Sequence, residues 1–278
     1  MTATPEHAPV LKVAVAGAGG RMGRTLIQAL AQAPAMRLSG ALLATGDQRV
    51  GQDAGEIAGI PATGVTATAD PAEAMATADL VIDFSLPGGT MSVLDECLSR
   101  SLPLVCGVTG LDSDQRKNLR SAGERIPILY AANMSVGINL MIHLSKIAAQ
   151  ALEAYDAEIF EVHHRFKRDA PSGTALAIGA AVEEGRGKEC PAEPGRGPGD
   201  GPREAGAVGY ASLRAGDVVG DHTLMLAGEG ERLEITHRAS DRMAFASGAL
   251  RAARWLAGQS AGYFGLGAAL GLGTGRSD

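Results

Sequence analysis

VAVAGAGGRMG, residues 13–23, is the stretch on which the fold turns. Val10 to Ala16, which leads into it, reads as a short strand buried on both faces. The following RMGRTLIQALAQA repeats its apolar residues at helical spacing. Between them Gly17, Gly20 and Gly23 stand in a GxxGxxG arrangement, with Gly19 in addition. Strand, glycine turn and helix in that order make a β-turn-α unit. Glycines there let the backbone approach a pyrophosphate, and the helix N-terminus offers unpaired N–H groups and the positive end of its dipole. Close helix-strand packing selects glycine as well, so the turn argues for a bound nucleotide through its place in the chain more than through the glycines alone.

That place is the first unit of a parallel pattern. Further apolar strands are predicted at Met36 to Leu43, Asp79 to Phe84, Leu104 to Val108 and Ile128 to Ala131, with helical segments such as Thr90 to Arg100 and Ser113 to Ala122 between them. Such alternation predicts an α/β Rossmann dinucleotide-binding domain, its sheet covered on both faces. After Asn133 the pattern changes. A longer helix over Val136 to Leu152 leads to a strand that ends in EVHHRFKRDAPSGTA, then to a helix from Ser172 and to strands at Val208 to Ala215, Thr223 to Leu226 and Arg232 to Ala239. This reads as an α+β second domain over 134–243. The first domain takes 1–133 and, because the sheet needs cover near its end, 244–278 with the closing helix Met243 to Gly258. Gly185 to Gly206, rich in glycine, proline and charge, reads as a long mobile loop.

Composition sets limits. The 278 residues are 45% hydrophobic, 20% charged and 4% aromatic with 38 glycines, which suits an Ala/Val/Gly-rich enzyme of two domains. A formal charge of −6 gives no basic surface for polyphosphate, so no nucleic acid is expected as a partner. The start, MTATPEHAP, is polar and bears proline, so neither a signal peptide nor a membrane segment is expected. The three cysteines, Cys97, Cys106 and Cys190, are odd in number and lack metal spacing, which points to a reducing compartment, the cytoplasm.

Dinucleotide sites of this kind carry an acidic residue about twenty residues on, at the end of the second strand, to hold the adenosine ribose. Here that place reads ALLATG, and Leu43 and Ala44 offer neither carboxylate nor guanidinium. Asp47 or Arg49, in the loop beyond, are the candidates to substitute; the competing reading makes both solvated loop charges.

EVHHRFKRDAPSGTA, residues 161–175, places two histidines, a lysine and a Pro-Ser-Gly-Thr turn at a strand-to-helix junction. Ser172 is the expected N-cap, with Gly173 and Thr174 in the first turn. Free N–H groups there would bind a carboxylate, while Lys167 and one imidazole add donors and positive charge around the same anion. The cluster reads as a cradle for a small dianionic acid. Adjacent histidines on a strand face opposite ways, so one at most is expected to share the direction of its alternate neighbours unless the strand end is irregular. A two-histidine metal site would need a third ligand, Glu161 or Asp169; no metal is expected.

Four stretches, VAGAGGRMGR, GVTG with AANMSVG, EVHHRFKRDAPSGTA, and RAGDVVGDHT with GERLEITHRAS, resemble the 4-hydroxy-tetrahydrodipicolinate reductase (dihydrodipicolinate reductase) family of lysine and diaminopimelate biosynthesis, and together they span almost the whole chain. HHxxKxDAPSGTA is the specific part of the match. The resemblance implies an oxidoreductase that reduces 4-hydroxy-tetrahydrodipicolinate, a small dicarboxylate, with NADH or NADPH, and a homotetramer built through the sheet of the second domain. It implies His163 as catalytic proton donor or acceptor and Lys167 as proton donor. His164, Ser172, Gly173 and Thr174 would hold substrate. Gly17, Ala18, Gly19, Gly20, Arg21 and Met22 would cradle the pyrophosphate, while Gly107, Val108, Thr109, Ala131, Ala132, Asn133 and Met134 would line the nicotinamide side.

The chain departs from this family where Glu-Arg is typical and it has Leu43-Ala44, where an arginine is typical and it has Leu86, and where GVTG and AANM replace GTTG and AANF. The alternatives are a paralogue reducing another cyclic imine or dicarboxylate, which the altered adenosine end suggests, and a non-catalytic protein that keeps the fold.

Overall fold

The computed structural model describes residues 9–272; the first eight residues, which include most of the polar N-terminal stretch, and the last six lie outside it. In chain order the elements are β1 (Leu11–Ala16), α1 (Arg21–Ala31), β2 (Met36–Leu42), α2 (Ala54–Ala58), β3 (Ala67–Thr68), α3 (Pro71–Ala74), β4 (Leu80–Asp83), α4 (Pro87–Arg100), β5 (Leu104–Cys106), α5 (Ser113–Ala122) and β6 (Pro127–Tyr130). There follow α6 (Val136–Ala151), β7 (Asp156–His163), α7 (Gly173–Arg186), β8 (Ala192–Pro194), β9 (Val208–Arg214), β10 (Gly220–Ala227) and β11 (Arg232–Ala239). The described chain ends with α8 (Met243–Leu256), β12 (Gly262–Phe264) and α9 (Leu266–Leu270). It divides into two compact units, one running to Ser135 and resuming at Met243, the other Val136–Arg242.

The first unit is a seven-stranded sheet in the order β12-β6-β5-β4-β1-β2-β3, every pair parallel. Strands buried on both faces need apolar residues at successive positions, and the last four residues of β1 show it: Val13 and Val15 pack into one core, Ala14 and Ala16 into the other. The first core is closed by α1, α8 and α9, the second by α4 and α5. The α/β Rossmann reading is thus borne out, and the closing helix does cover this sheet, packing against α1. Chain order reverses between β1 and β4, which makes their carboxyl ends the switch point at which such sheets bind ligands.

The second unit is a mixed five-stranded sheet, β11-β10-β7-β9-β8, with β7 parallel to β9 and antiparallel to β10. Its inner face packs on α7, and α6 lies against α7 and β11. The segment read as a long mobile loop is a correction. Residues 185 and 186 are the last turn of α7, and Ala192–Pro194 is a strand paired with β9. Two arginines order the rest, for reasons composition does not reveal. Buried Arg186 donates to the Gly206 carbonyl at 3.2 Å and to that of Tyr155, and Arg203 reaches Glu158 at 2.9 Å, Asp156 at 2.8 Å and the Ala157 carbonyl at 3.0 Å.

The turn after β1 shows why glycine stands there. Gly17 has φ +75°, and a Cβ on Gly23 would lie 2.1 Å from the Gly17 carbonyl oxygen, so the first turn of α1 packs directly on the backbone of the turn. Gly23→Ala forces that backbone contact apart. It is expected to lower unfolding stability by about 1–3 kcal/mol, read from urea denaturation; an unchanged midpoint would mean that helix and turn separate at no cost.

Candidate active site

In the second unit the site grows out of strand alternation. Ala157 and Ile159 of β7 point into the core, and continuing the same period brings Glu161 and His163 to the same face. Across the strands, β10 sets His222 opposite Glu161, and β9 sets Ser212 opposite Glu161 and Arg214 opposite His163. One end of an apolar sheet face therefore carries a cluster of ionisable groups.

Glu161 is 1% exposed. Arg214 grips both of its oxygens, Nη1 to Oε2 at 3.0 Å and Nη2 to Oε1 at 2.9 Å, the Ser172 N–H donates to Oε1 at 3.2 Å, and His163 Nδ1 bonds to Oε2. Burial pushes the carboxyl up, but the hydrogen bonds from Arg214, Ser212 and His163 outweigh it and hold the group below its ordinary value. An ionised carboxylate only accepts, so His163 must donate from Nδ1, which leaves Nε2 as the free lone pair of a neutral imidazole. Burial lowers the His163 pKa, partly offset by Glu161.

His222 lies edge-on to His163, ring centroids 5.0 Å apart, with Nε2 at 3.1 Å from the Ser172 hydroxyl and Nδ1 buried without a hydrogen-bond partner. Burial above all takes its pKa down to about 4.

Ser172 is the N-cap of α7, its hydroxyl accepting from the Ala175 N–H at 3.2 Å, as expected. With its N–H on Glu161 and its hydroxyl shared between Ala175 and His222, its polar groups are committed within the protein and serve to position the helix start. Gly173 opens the helix, and a Cβ built there meets nothing within 4 Å; Thr174 follows in the same turn. Lys167 is ion-paired to Asp169 at 2.9 Å, and its charge acts on both His163 and His222. His164, one residue past the strand, lies outside the buried group with Nδ1 accepting the Phe166 N–H at 3.2 Å.

The second imidazole of the cluster is therefore His222 and not His164. Arg214 and His222 both sit in or beside RAGDVVGDHT, whose charges inside strand-like runs were the available signal. Glu161, His163 and His222 offer ligand atoms within 4.8 Å of one another. Both oxygens of Glu161 already face a guanidinium, so a metal ion would have to displace another cation.

In the first unit Gly17 to Met22 follow β1, Gly107 to Thr109 follow β5, and Ala131 to Met134 follow β6, all at the carboxyl edge of the parallel sheet. The N-terminus of α1 has neither a capping side chain nor an acid in its first turn, an arrangement that could receive an anion. Val108 and Met134 are buried, and contacts from these positions would come from their backbone. An uncapped helix start behind a turn whose Gly17 and Gly23 leave no room for a Cβ fits a dinucleotide pyrophosphate.

Comparison with known proteins agrees with both halves. A family model described as dihydrodipicolinate reductase, N-terminus, matches residues 11–134, and one described as dihydrodipicolinate reductase, C-terminus, matches 137–270. A protein of Burkholderia thailandensis named 4-hydroxy-tetrahydrodipicolinate reductase is 49% identical over 266 residues, covering 94% of this chain and 98% of its own. One of Burkholderia pseudomallei with the same name is 48% identical over 94% of this chain and 100% of its own. Among solved structures, a dipicolinate-bound dihydrodipicolinate reductase from a Paenisporosarcina species superposes with TM-score 0.76 at 22% identity, covering 92% of this chain and 98% of that one, a likeness of fold. With each half matched by the corresponding half of one enzyme, and full-length relatives at nearly half identity, the chain belongs to the dihydrodipicolinate reductase family.

Proposed function

We propose that the chain reduces 4-hydroxy-tetrahydrodipicolinate to tetrahydrodipicolinate in lysine and diaminopimelate biosynthesis, using NADH or NADPH. The observation that carries this reading is the Arg214–Glu161–His163 array, its carboxylate and imidazole buried, beside the open first turn of α7, in a member of this family. The first unit holds the dinucleotide through Gly17 to Met22, Gly107 to Thr109 and Ala131 to Met134. The second holds the substrate.

Loss of water from the hydroxylated ring leaves a conjugated cyclic imine. The nicotinamide supplies a hydride to its carbon end when bound, and the electron pair displaced from the double bond moves toward the ring nitrogen. A cation must stabilise that charge and a proton must follow it. Lys167 serves both needs, since a lysine can release a proton that an arginine would keep. His163, held neutral with Nδ1 on Glu161, offers Nε2 for proton exchange. The substrate carboxylates meet Gly173 and Thr174 at the helix N-terminus, with His164 at the rim. The outer face of the second sheet, where Phe160 is 38% and Leu213 57% exposed, supports assembly as a homotetramer through that sheet. No described helix is long and apolar enough to cross a membrane.

Lys167→Ala is expected to cut kcat by roughly 10²–10⁴-fold while leaving the dissociation constant of the nicotinamide nearly unchanged; near-normal turnover would remove Lys167 from the mechanism. Gly173→Val places a branched side chain in open space, so the fold should tolerate it while the carboxylate is blocked. The expected result is a KM raised by roughly tenfold or more with the melting temperature kept. An unchanged KM would put the carboxylate elsewhere.

Acid should destabilise the enzyme through His222. A folded value of about 4 against an ordinary 6.5 means that the unfolded chain binds more protons between those values, so stability is fully present above about pH 6.5 and is lost as pH falls through about 4. The whole window is worth on the order of 3 kcal/mol. In urea melts at a series of pH values His222→Gln should show a flatter decline than the wild type, and parallel declines would assign the acid sensitivity to other groups.

A further inference from the structure

The first unit contains a feature that the family resemblance does not provide. The loop after β2 folds back over the glycine turn and holds Asp47 and Arg49 there as a pair. Arg49 Nε and Nη2 donate to the two Asp47 oxygens at 2.9 and 2.7 Å, and Nη1 donates to the Gly19 carbonyl at 3.0 Å. A Cβ on Gly19 would lie 2.4 Å from Arg49 Nη2 and 2.9 Å from Leu43 Cδ2, so the guanidinium and the Leu43 side chain close over the same glycine. The loop is tied at both ends, Asp47 N–H to the Ala44 carbonyl at 3.1 Å and Gly51 N–H to the Ala67 carbonyl at 2.8 Å, and the Arg49 N–H caps back onto Asp47 at 3.0 Å. Ala18 N–H donates to the Leu42 carbonyl at 3.0 Å, which brings the turn against the end of β2. In a dinucleotide-binding sheet this corner, between the first glycine turn and the end of the second strand, receives the adenosine ribose.

The geometry points to the Asp47–Arg49 pair as the reader of the ribose 2′ position, replacing the side chains that Leu43 and Ala44 do not supply. This rests on the reading of the first unit as the dinucleotide site. The pair offers a carboxylate to a 2′-hydroxyl and a guanidinium to a 2′-phosphate. Three of the five guanidinium N–H groups are used within the protein, and Nη1 and Nη2 each keep a second one for a ligand. Because the pair is neutral as a unit, neither cofactor meets a net repulsive charge, and the two acceptances balance. Asp47 is held as a carboxylate, its pKa lowered to about 2 by its bonds to Arg49.

Removing one member should tip the balance in opposite directions. The probes are NADH and NADPH, titrated by nicotinamide fluorescence into the full-length protein, and 5′-AMP and 2′,5′-ADP, titrated by calorimetry; no turnover is needed. The wild type is expected to bind NADH and NADPH within roughly tenfold of each other. Arg49→Ala leaves a lone carboxylate and should lower the NADPH-to-NADH affinity ratio by roughly tenfold or more, and Asp47→Asn frees the guanidinium and should raise that ratio by a similar factor, with 2′,5′-ADP and 5′-AMP following the same signs. Equal weakening of both cofactors in the two variants would show that Arg49 only staples Gly19, and would overturn the proposal. Should Arg49→Ala not fold, the sign of the Asp47→Asn shift decides alone: a ratio unchanged or lowered overturns it. A wild type that binds neither nicotinamide would bring down the dinucleotide reading and this proposal with it, an outcome distinct from equal weakening.

Discussion

A carboxylate that is 1% exposed must be surrounded by donors or it will not stay charged, and in the second unit Glu161 is that carboxylate. Arg214 comes from β9, the Ser172 N–H from the start of α7, and the His163 imidazole from two residues along β7 itself. Three chain positions are thereby pinned to one anion, and loss of any of them would leave an under-compensated buried charge, which costs more than the bond itself contributed. The orientation of His163, the placing of the helix start and the packing of Arg214 against the Asp169 carbonyl all follow from keeping Glu161 ionised.

On the proposed reading the two units handle anions by opposite means. In the first, the turn after β1 works by the lack of side chains: Gly17 and Gly23 let backbone meet backbone, and α1 begins without a cap, so its N–H groups remain for a ligand. In the second, the start of α7 is capped by Ser172, whose N–H is bound to Glu161 together with Arg214 and His163. A pyrophosphate needs a long backbone surface with little competing bulk. A compact dicarboxylate needs a few charged groups at fixed positions, and a proton source besides.

Much of this was legible along the chain. The apolar runs of the parallel strands, the helical period after the glycine turn, and Ser172 as a cap are local matters, governed by alternation and by N–H groups that must find partners within a few residues. The same holds for His163 and Lys167, which stand close together in sequence. The loop after β2 was half legible. Asp47 and Arg49 were visible as charges, but whether they were solvated or joined depended on how the loop closed onto Gly19, a contact across thirty positions.

By itself, then, the sequence determined the α/β class, the family and the residues that local chemistry gathers in EVHHRFKRDAPSGTA. Tertiary structure decided which imidazole accompanies His163. Register between β7 and β10 sets His222 opposite Glu161, and a slip of one residue would turn it to the outer face. Tertiary structure also ordered Gly185 to Gly206, whose composition suits solvent but whose Arg186 and Arg203 bind backbone carbonyls, most of them in distant parts of the chain. The physical reason is the same in both cases: periodicity and capping act over a few residues and can be read from neighbours, whereas a buried hydrogen-bond partner is chosen by strand pairing and chain closure, which only the folded molecule specifies.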